Sequence, residues 1–172
     1  MKIRKATLDD LDRLEILFDH GRQVMRSTGN TVQWVNGYPS RELLTEDIRA
    51  GNSYVAVTLK EDEEVICAAF YLTTEPDPTY RQIEGAWLND EPYATIHRIV
   101  SSGDVKGAGI YCIQWVQSLY DNVRIDTHEA NQLMRKILKQ LNFKECGTIY
   151  VSDGTPRLAF HYAKKEEDKW NN

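Results

Sequence analysis

HRIVSSGDVKGAGIY, His97 to Tyr111, joins an apolar, β-branched run to a Gly-rich turn and then to a helix. The helix is read from Gly109 to near Tyr120, with Ile110, Ile113, Trp115, Val116 and Leu119 at helical spacing. A strand, a tight turn and a helix N-terminus together favour an anion. The first amides of a helix have no intrahelical partners, and the helix dipole is positive there. Gly103, Gly107 and Gly109 permit positive φ and close approach of a ligand to the backbone, so the guest implied is a phosphate or pyrophosphate. Taken alone, the same residues also describe an ordinary turn before a helix. A Walker motif is excluded because no Lys-Ser or Lys-Thr pair follows the last Gly. A dinucleotide fingerprint is disfavoured because GxGxxG is absent and the motif lies too far along the chain for a first βαβ unit.

The turn Lys106-Gly107-Ala108-Gly109-Ile110-Tyr111 resembles the acyl-CoA pyrophosphate loop of the GNAT superfamily of N-acetyltransferases. That loop runs Arg or Gln, two residues, Gly, one residue, then Gly or Ala. Lys106 keeps a donor at the first position, and Tyr111 replaces a small residue and threatens to crowd the phosphates. A second stretch, Asn122 to Phe143, resembles the strand and Asn-initiated helix that follow in the same superfamily. Its closing Leu141-Asn142-Phe143 replaces Leu-Gly-Phe, a mild change because Asn is the residue next best to Gly in a left-handed helix cap.

Working outward, Lys2 to Ala6 reads as a strand, and Thr7 caps a helix that begins near Asp9, with Leu11, Leu14, Leu17, Phe18 and Val24 on one face. Gly29 to Pro39 is a loop, and Ser40 caps a second helix. Ser53 to Leu59 and Glu64 to Thr73 form a hairpin around Lys60 to Glu63. A long connection, Thr74 to Tyr93, has the length of a functional loop. The strand Ala94 to Ser101, the Gly loop and its helix, the strand Val123 to His128 and the helix Asn131 to Leu141 follow. Lys144 to Val151 and Arg157 to Ala163 form a closing hairpin. The expected fold is α/β (α+β mixed). By the resemblance it is GNAT-like: a central mixed, mostly antiparallel sheet of about seven strands with helices on both faces. Residues 1–164 form one domain and 165–172 a charged C-terminal tail.

Composition is that of an ordinary globular chain, 41% hydrophobic and 27% charged over 172 residues. There is no apolar run of membrane-spanning length and no signal-peptide apolar region after Met1-Lys2-Ile3-Arg4, so the expectation is a cytoplasmic protein with no membrane partner. The net charge of −5 argues against nucleic acid and favours a cationic substrate. Cys67, Cys112 and Cys146 are odd in number and scattered, which fits buried free thiols and no Cys-His nucleophile. A homodimer through the edge of the closing hairpin is open.

The resemblance implies an acetyl-CoA-dependent N-acetyltransferase acting on a primary amine of a small molecule, amino acid or peptide. Transfer would be direct, within a ternary complex, with acetyl-CoA as acyl donor cosubstrate and no metal. It implies that the backbone of Lys106, Gly107, Ala108, Gly109, Ile110 and Tyr111 holds the pyrophosphate. The strand residues Ile99, Val100 and Ser101 would pair with pantetheine, and Asn131 would add one side-chain hydrogen bond. Asp126 is the candidate base, against the alternatives of capping a turn or pairing with Arg124. His128 shares its strand face and can relay a proton, and His97 stands on the other strand; either can equally be a structural His. Trp34, Tyr38, Trp87 and Tyr93 are aromatic residues in loops that wall an acceptor pocket or anchor the loops to the domain. Where many family members carry a Tyr acid, seven residues after Asn131, this chain has Leu138. Tyr111, Tyr150 and Tyr162 are substitutes, and a non-catalytic acyl-CoA-binding sensor of the same fold is the alternative reading. A protein-interaction domain, in which the Gly loop is only a turn, is a further rival.

Overall fold

The computed structural model describes residues 1–165, which fall into two compact units, and the tail beyond Lys165 lies outside the described residues. The first unit takes in Met1–Leu72 and Ile96–Ile113. Strand β1 (Lys2–Lys5) leads through a 3-10 turn (Leu8–Asp10) into α1 (Leu11–Ser27). Asp10 organises this entry. Its carboxylate accepts the Thr7 amide at 2.8 Å and a two-pronged bond from Arg4 at 2.8 and 3.0 Å, which holds its carboxyl below the usual range.

Helix α1 buries Leu11, Leu14, Leu17 and Phe18 as its pattern predicts, but the stripe continues through Gly21 and not Val24, which is 39% exposed. Gly21 explains the difference. A Cβ there would stand 2.6 Å from Cγ2 of Val100 and 3.3 Å from the Trp34 ring, so the helix approaches its neighbours at the one residue without a side chain. Helix α2 (Arg41–Arg49) starts at Ser40, whose hydroxyl accepts the Leu43 amide at 3.1 Å. It contributes Leu44 and Ile48 to a core shared with Val55, Val57, Ile66, Ala69 and Val100. Each buried aliphatic or aromatic side chain contributes roughly 1.5–3 kcal/mol. Strands β2 (Ser53–Lys60) and β3 (Glu63–Thr73) meet at Glu61 and Asp62, with φ of 52° and 67°, the mirror-type turn that matches strand twist.

The second unit takes in Thr73–Thr95 and Gln114 to the end of the described chain. It holds the two-residue strand β4 (Glu84–Gly85) and the start of β5 (Ala94–Ser101). Beyond the shared α3 (Ala108–Leu119) come β6 (Asn122–Thr127), α4 (Gln132–Gln140), β7 (Lys144–Tyr150) and β8 (Pro156–Ala163). Helix α4 closes on Asn142 at φ 64°, the left-handed cap expected of it. Strand β4 lies inside the connection that the sequence leaves without structure. Gly85 faces Gly147 on β7, and a Cβ on either would overlap the opposing backbone, so only a Gly pair lets these strands meet.

The eight strands form one mostly antiparallel sheet in the order β1-β2-β3-β5-β6-β8-β7-β4, one more strand than the sequence suggests because of β4. Ala94 and Thr95 pair in parallel with Val123 and Arg124, and β6 runs antiparallel to β8 from Asn122–Ala163 to Thr127–Leu158. No helix among the described residues is long and apolar enough to cross a membrane.

The connection Thr74 to Tyr93 is pinned to β6 and β8 by buried polar groups. His161, fully buried, accepts the Leu88 amide at Nδ1 (3.2 Å), so its proton sits on Nε2 and is donated to Oδ1 of Asn122 (2.9 Å). The same Asn122 oxygen accepts from Asn89 at 2.8 Å. Burial and then Arg124 lower the His161 imidazole to about 4.

Replacing Gly21 by Ala gains about 1 kcal/mol in helix propensity but overpacks against Val100, at a cost of about 1–3 kcal/mol. The expected outcome is net destabilisation in urea unfolding, where an ordinary helix site would show a gain. His161 supplies a pH test. Its folded-state value lies below its unfolded one, so its contribution is complete above the ordinary 6.5 and is lost on acidification towards about 4. Wild-type stability should therefore fall more steeply from pH 6.5 to 4 than that of His161→Gln, by at most about 1.4 kcal/mol per pH unit. Parallel slopes would show that the imidazole is not held neutral.

Candidate active site

In the first unit the Gly loop leaves β5 with the Ser102 amide bonded to the Cys67 carbonyl at 2.9 Å and the Ser102 hydroxyl accepting the Asp104 amide at 3.2 Å. Gly103 and Gly107 have φ of 81° and 80°, which an L side chain rarely adopts. The Gly107 carbonyl accepts the Tyr111 amide at 2.9 Å, so Gly107 is the residue that opens α3. The Ala108 amide turns back to the Val105 carbonyl at 3.3 Å, and the Gly109 and Ile110 amides lie in the first turn, where helical partners are lacking. Nothing stands within 4 Å of where a Cβ on Gly107 or Gly109 would project. Lys106 is exposed beside this opening. Tyr111 does not crowd it: its hydroxyl donates to the Met1 carbonyl at 3.0 Å, at the start of the chain. The turn therefore fits a pyrophosphate in shape, donor set and charge.

Within β5, Val100 points into the core, Ile99 and Ser101 are half-buried, and His97 lies against Tyr71 with ring centroids 6.0 Å apart. Arg98 is half-buried on β5 and held from several sides. It has φ 48° inside a strand, and its guanidinium forks onto Asp47 at 2.8 and 3.0 Å. It also donates to the Tyr38 hydroxyl at 3.1 Å and lies 4.3 Å from the Tyr71 ring centre. Burial pushes the Asp47 carboxyl up and Arg98 opposes that. No sequence signal reports an Asp on α2 facing a residue on β5, and the left-handed residue breaks the alternation from which faces are read.

Of the aromatic candidates in this unit, Trp34 is packed on Phe18 at 5.4 Å and belongs to the core cluster, while Tyr38 is 39% exposed and held by Arg98 and, through its carbonyl, by Arg22 at 3.2 Å. Cys67 and Cys112 are buried, and burial followed by Cys67 pushes the Cys112 thiol up to about 12.

In the second unit, Asp126 on β6 is half-buried, and its Oδ2 accepts the Tyr80 hydroxyl at 2.7 Å. Tyr80 is 2% exposed, and burial with the charge of Asp126 raises its phenol well above the ordinary value. His128 accepts the Ala130 amide at Nδ1 (3.0 Å), so its lone pair is committed to the turn, and burial and then Arg157 lower its pKa. This is the structural alternative considered for it. Asn131 caps α4, its Oδ1 accepting the Met134 amide at 3.2 Å. Leu138 is fully buried.

Trp87 and Tyr93 take the anchoring alternative. Their ring centres lie 4.2 and 4.0 Å from the Arg124 guanidinium, one ring from each end of the connection's last turn. Of the substitute tyrosines, Tyr150 donates to Glu84 at 3.0 Å on the surface, and Tyr162 packs on Phe143 at 5.8 Å. Among the described residues no three His, Cys, Asp or Glu side chains gather to hold a metal.

No protein-family model matches this sequence, and no curated protein matches it. Solved structures match over nearly its full length. A GNAT-family acetyltransferase from Streptococcus agalactiae has a TM-score of 0.83 at 29% identity, with 96% of each chain covered. A GNAT-family acetyltransferase from Listeria monocytogenes has a TM-score of 0.68 at 17% identity over 94% of each chain. A ribosomal-protein-alanine N-acetyltransferase from Brucella melitensis has 0.55 at 17%, over 95% of this chain and 99% of that one. The last two speak to the fold alone. Sheet order and the likeness to the Streptococcus agalactiae protein give the chain an acetyltransferase-type fold, with the amide-lined start of α3 as its candidate cosubstrate site. The fold is the one seen in GNAT-family acetyltransferases.

Proposed function

We propose that the chain transfers an acetyl group from acetyl-CoA to a primary amine of a small molecule, an amino acid or a peptide. The observation that carries this reading is the open start of α3, where first-turn amides and two unobstructed glycines meet a pyrophosphate's requirements. The Gly107 to Ile110 backbone holds the pyrophosphate, with Lys106 beside it. The backbone of Ile99 and Ser101 is suited to pair with pantetheine as an added strand, and Asn131, whose oxygen caps α4, is the side chain proposed to add one hydrogen bond to it.

An ammonium has no lone pair, so the acceptor must shed a proton before it attacks. Asp126 takes that proton, directly or through water. The nitrogen bonds to the thioester carbonyl carbon, the C–S bond breaks, the nitrogen sheds its second proton to water, and the thiolate takes up a proton from the solvent in turn, so that the one net proton released is the one Asp126 accepts. Direct transfer is supported by the thiols: Cys67 and Cys112 are buried and raised in pKa, and both are poor nucleophiles. Tyr38, the exposed one of the four loop aromatics, is left to meet the acceptor. The alternative, an acyl-CoA-binding sensor without turnover, draws on the full burial of Leu138 at the usual acid position.

Isothermal titration with acetyl-CoA, desulfo-CoA and ATP tests the cosubstrate. Saturable binding of acetyl-CoA, weak binding of ATP and loss of acetyl-CoA binding in Gly109→Leu are expected; unchanged affinity in that variant would remove the loop from the site. Thiol release with spermidine, L-lysine and an Ala-initiated tripeptide then tests turnover. Asp126→Asn should lower kcat about 100-fold or more with acetyl-CoA affinity intact. Binding without acetylation of any amine would leave the sensor reading.

A further inference from the structure

The connection Thr74 to Tyr93 delivers one polar atom to the chemistry. Asp77 opens a single 3-10 turn, Pro78–Tyr80, by accepting the Thr79 amide at 2.8 Å and the Thr79 hydroxyl at 2.7 Å. The Asp77 amide donates to the Tyr93 hydroxyl at 3.0 Å, and the Trp87 indole N–H donates to the Tyr80 carbonyl at 3.0 Å. The Tyr80 ring is packed by Trp87 at 5.1 Å and by Tyr93 at 6.2 Å. Its ring has no room to turn, and its hydroxyl ends 2.7 Å from Oδ2 of Asp126. This contact spans 46 positions in sequence, and Tyr80 lies outside the two stretches that carry the family resemblance.

From this geometry we infer that Tyr80 is a positioning residue for acetyl transfer, fixing the Asp126 carboxylate in the orientation in which it accepts the acceptor's proton. The inference rests on Asp126 being the base. A buried phenol must satisfy its O–H, and Asp126 supplies the acceptor. In return, the Asp126 carboxylate has its Oδ2 tethered to a buried, packed phenol. The phenol keeps its proton, since burial and the neighbouring charge raise it, so it orients Asp126 and is not itself an acid. Asp126, Asp77 and Tyr93 act on the phenol to raise it, and the Arg124 guanidinium interacts with it as well. Displacing a base by about 1 Å can cost 100-fold in rate, so a tether of this kind has catalytic value.

A double-mutant cycle separates positioning from mere support of the fold. With acetyl-CoA and the panel amine that turns over fastest, Tyr80→Phe should lower kcat by about 10- to 100-fold, with acetyl-CoA affinity unchanged within twofold. In the Asp126→Asn background, Tyr80→Phe should change nothing further, because the group it orients no longer acts as a base. Trp87→Phe is the second variant: it keeps the phenol but removes the bond that holds the Tyr80 carbonyl. Its smaller loss should likewise vanish in the Asp126→Asn background. Wild-type kcat in Tyr80→Phe, or losses that multiply in the double variants, would overturn the inference while leaving acetyl transfer standing. Acetyl-CoA binding with no turnover of any amine by the wild type would overturn both.

Discussion

The second unit is organised around a guanidinium. Arg124 is 5% exposed on β6, its Nη2 donates to the Asn89 carbonyl at 2.9 Å, and its Nε has no hydrogen-bond partner. Burial lowers its pKa, which the Tyr93 side chain and the charge of Asp90 oppose. An uncompensated buried charge costs several kcal/mol. The rings of Trp87 and Tyr93 offset much of that, since a desolvated cation over an aromatic face gains about 2 kcal/mol or more. The connection must therefore fold over Arg124, and once Trp87 and Tyr93 are placed, Tyr80 is placed between them. A buried sheet cation stacked between two rings thus sets the path of this long connection, and that path ends at Asp126.

The first unit has a counterpart in Arg98. A non-Gly residue in the left-handed region costs roughly 1–2 kcal/mol, and such strain persists where the surroundings over-determine it. Here the surroundings are the paired Asp47, the Tyr38 hydroxyl and the Tyr71 ring. The two arginines differ in their partners. Arg98 has a paired carboxylate and fixes α2 and the Tyr38 loop to β5; Arg124 is held by two ring faces and the Asn89 carbonyl. Neither role follows from the local sequence, because each depends on partners brought in from distant positions.

Legibility in sequence followed the range of the interactions. Capping at Ser40 and Asn131, the left-handed Asn142 and the strand–Gly–helix junction depend on neighbours within a few residues, and all were readable. Strand β4 was not, because it exists only through the Gly85–Gly147 approach across the sheet. The helical stripe of α1 was misplaced at one residue for a related reason: Gly21 carries no hydrophobicity, and its role is the space it leaves for Val100. Asp126 was legible as a carboxylate on the right strand, while its Tyr80 partner was hidden in a loop. Trp87 and Tyr93 were visible as unusual loop aromatics, but the two roles open to them are separated only by seeing Arg124 between the rings.

The arrangement bears on how much acid catalysis the proposed reaction requires. Leu138 is sealed in the core, Tyr80 holds its proton against Asp126, Tyr150 is tied to Glu84 on the surface, and Tyr111 is tied to Met1. These four positions offer no proton to a leaving group. A thiolate is a far better leaving group than an alkoxide and needs less help. Holding amine and thioester together can contribute about 7–11 kcal/mol of the barrier reduction. Under that division the demanding step is deprotonation of the acceptor, and the residues that keep Asp126 in place matter more than any acid. The structure invests accordingly: a capped turn, two aromatic rings and a buried cation stand behind one carboxylate oxygen.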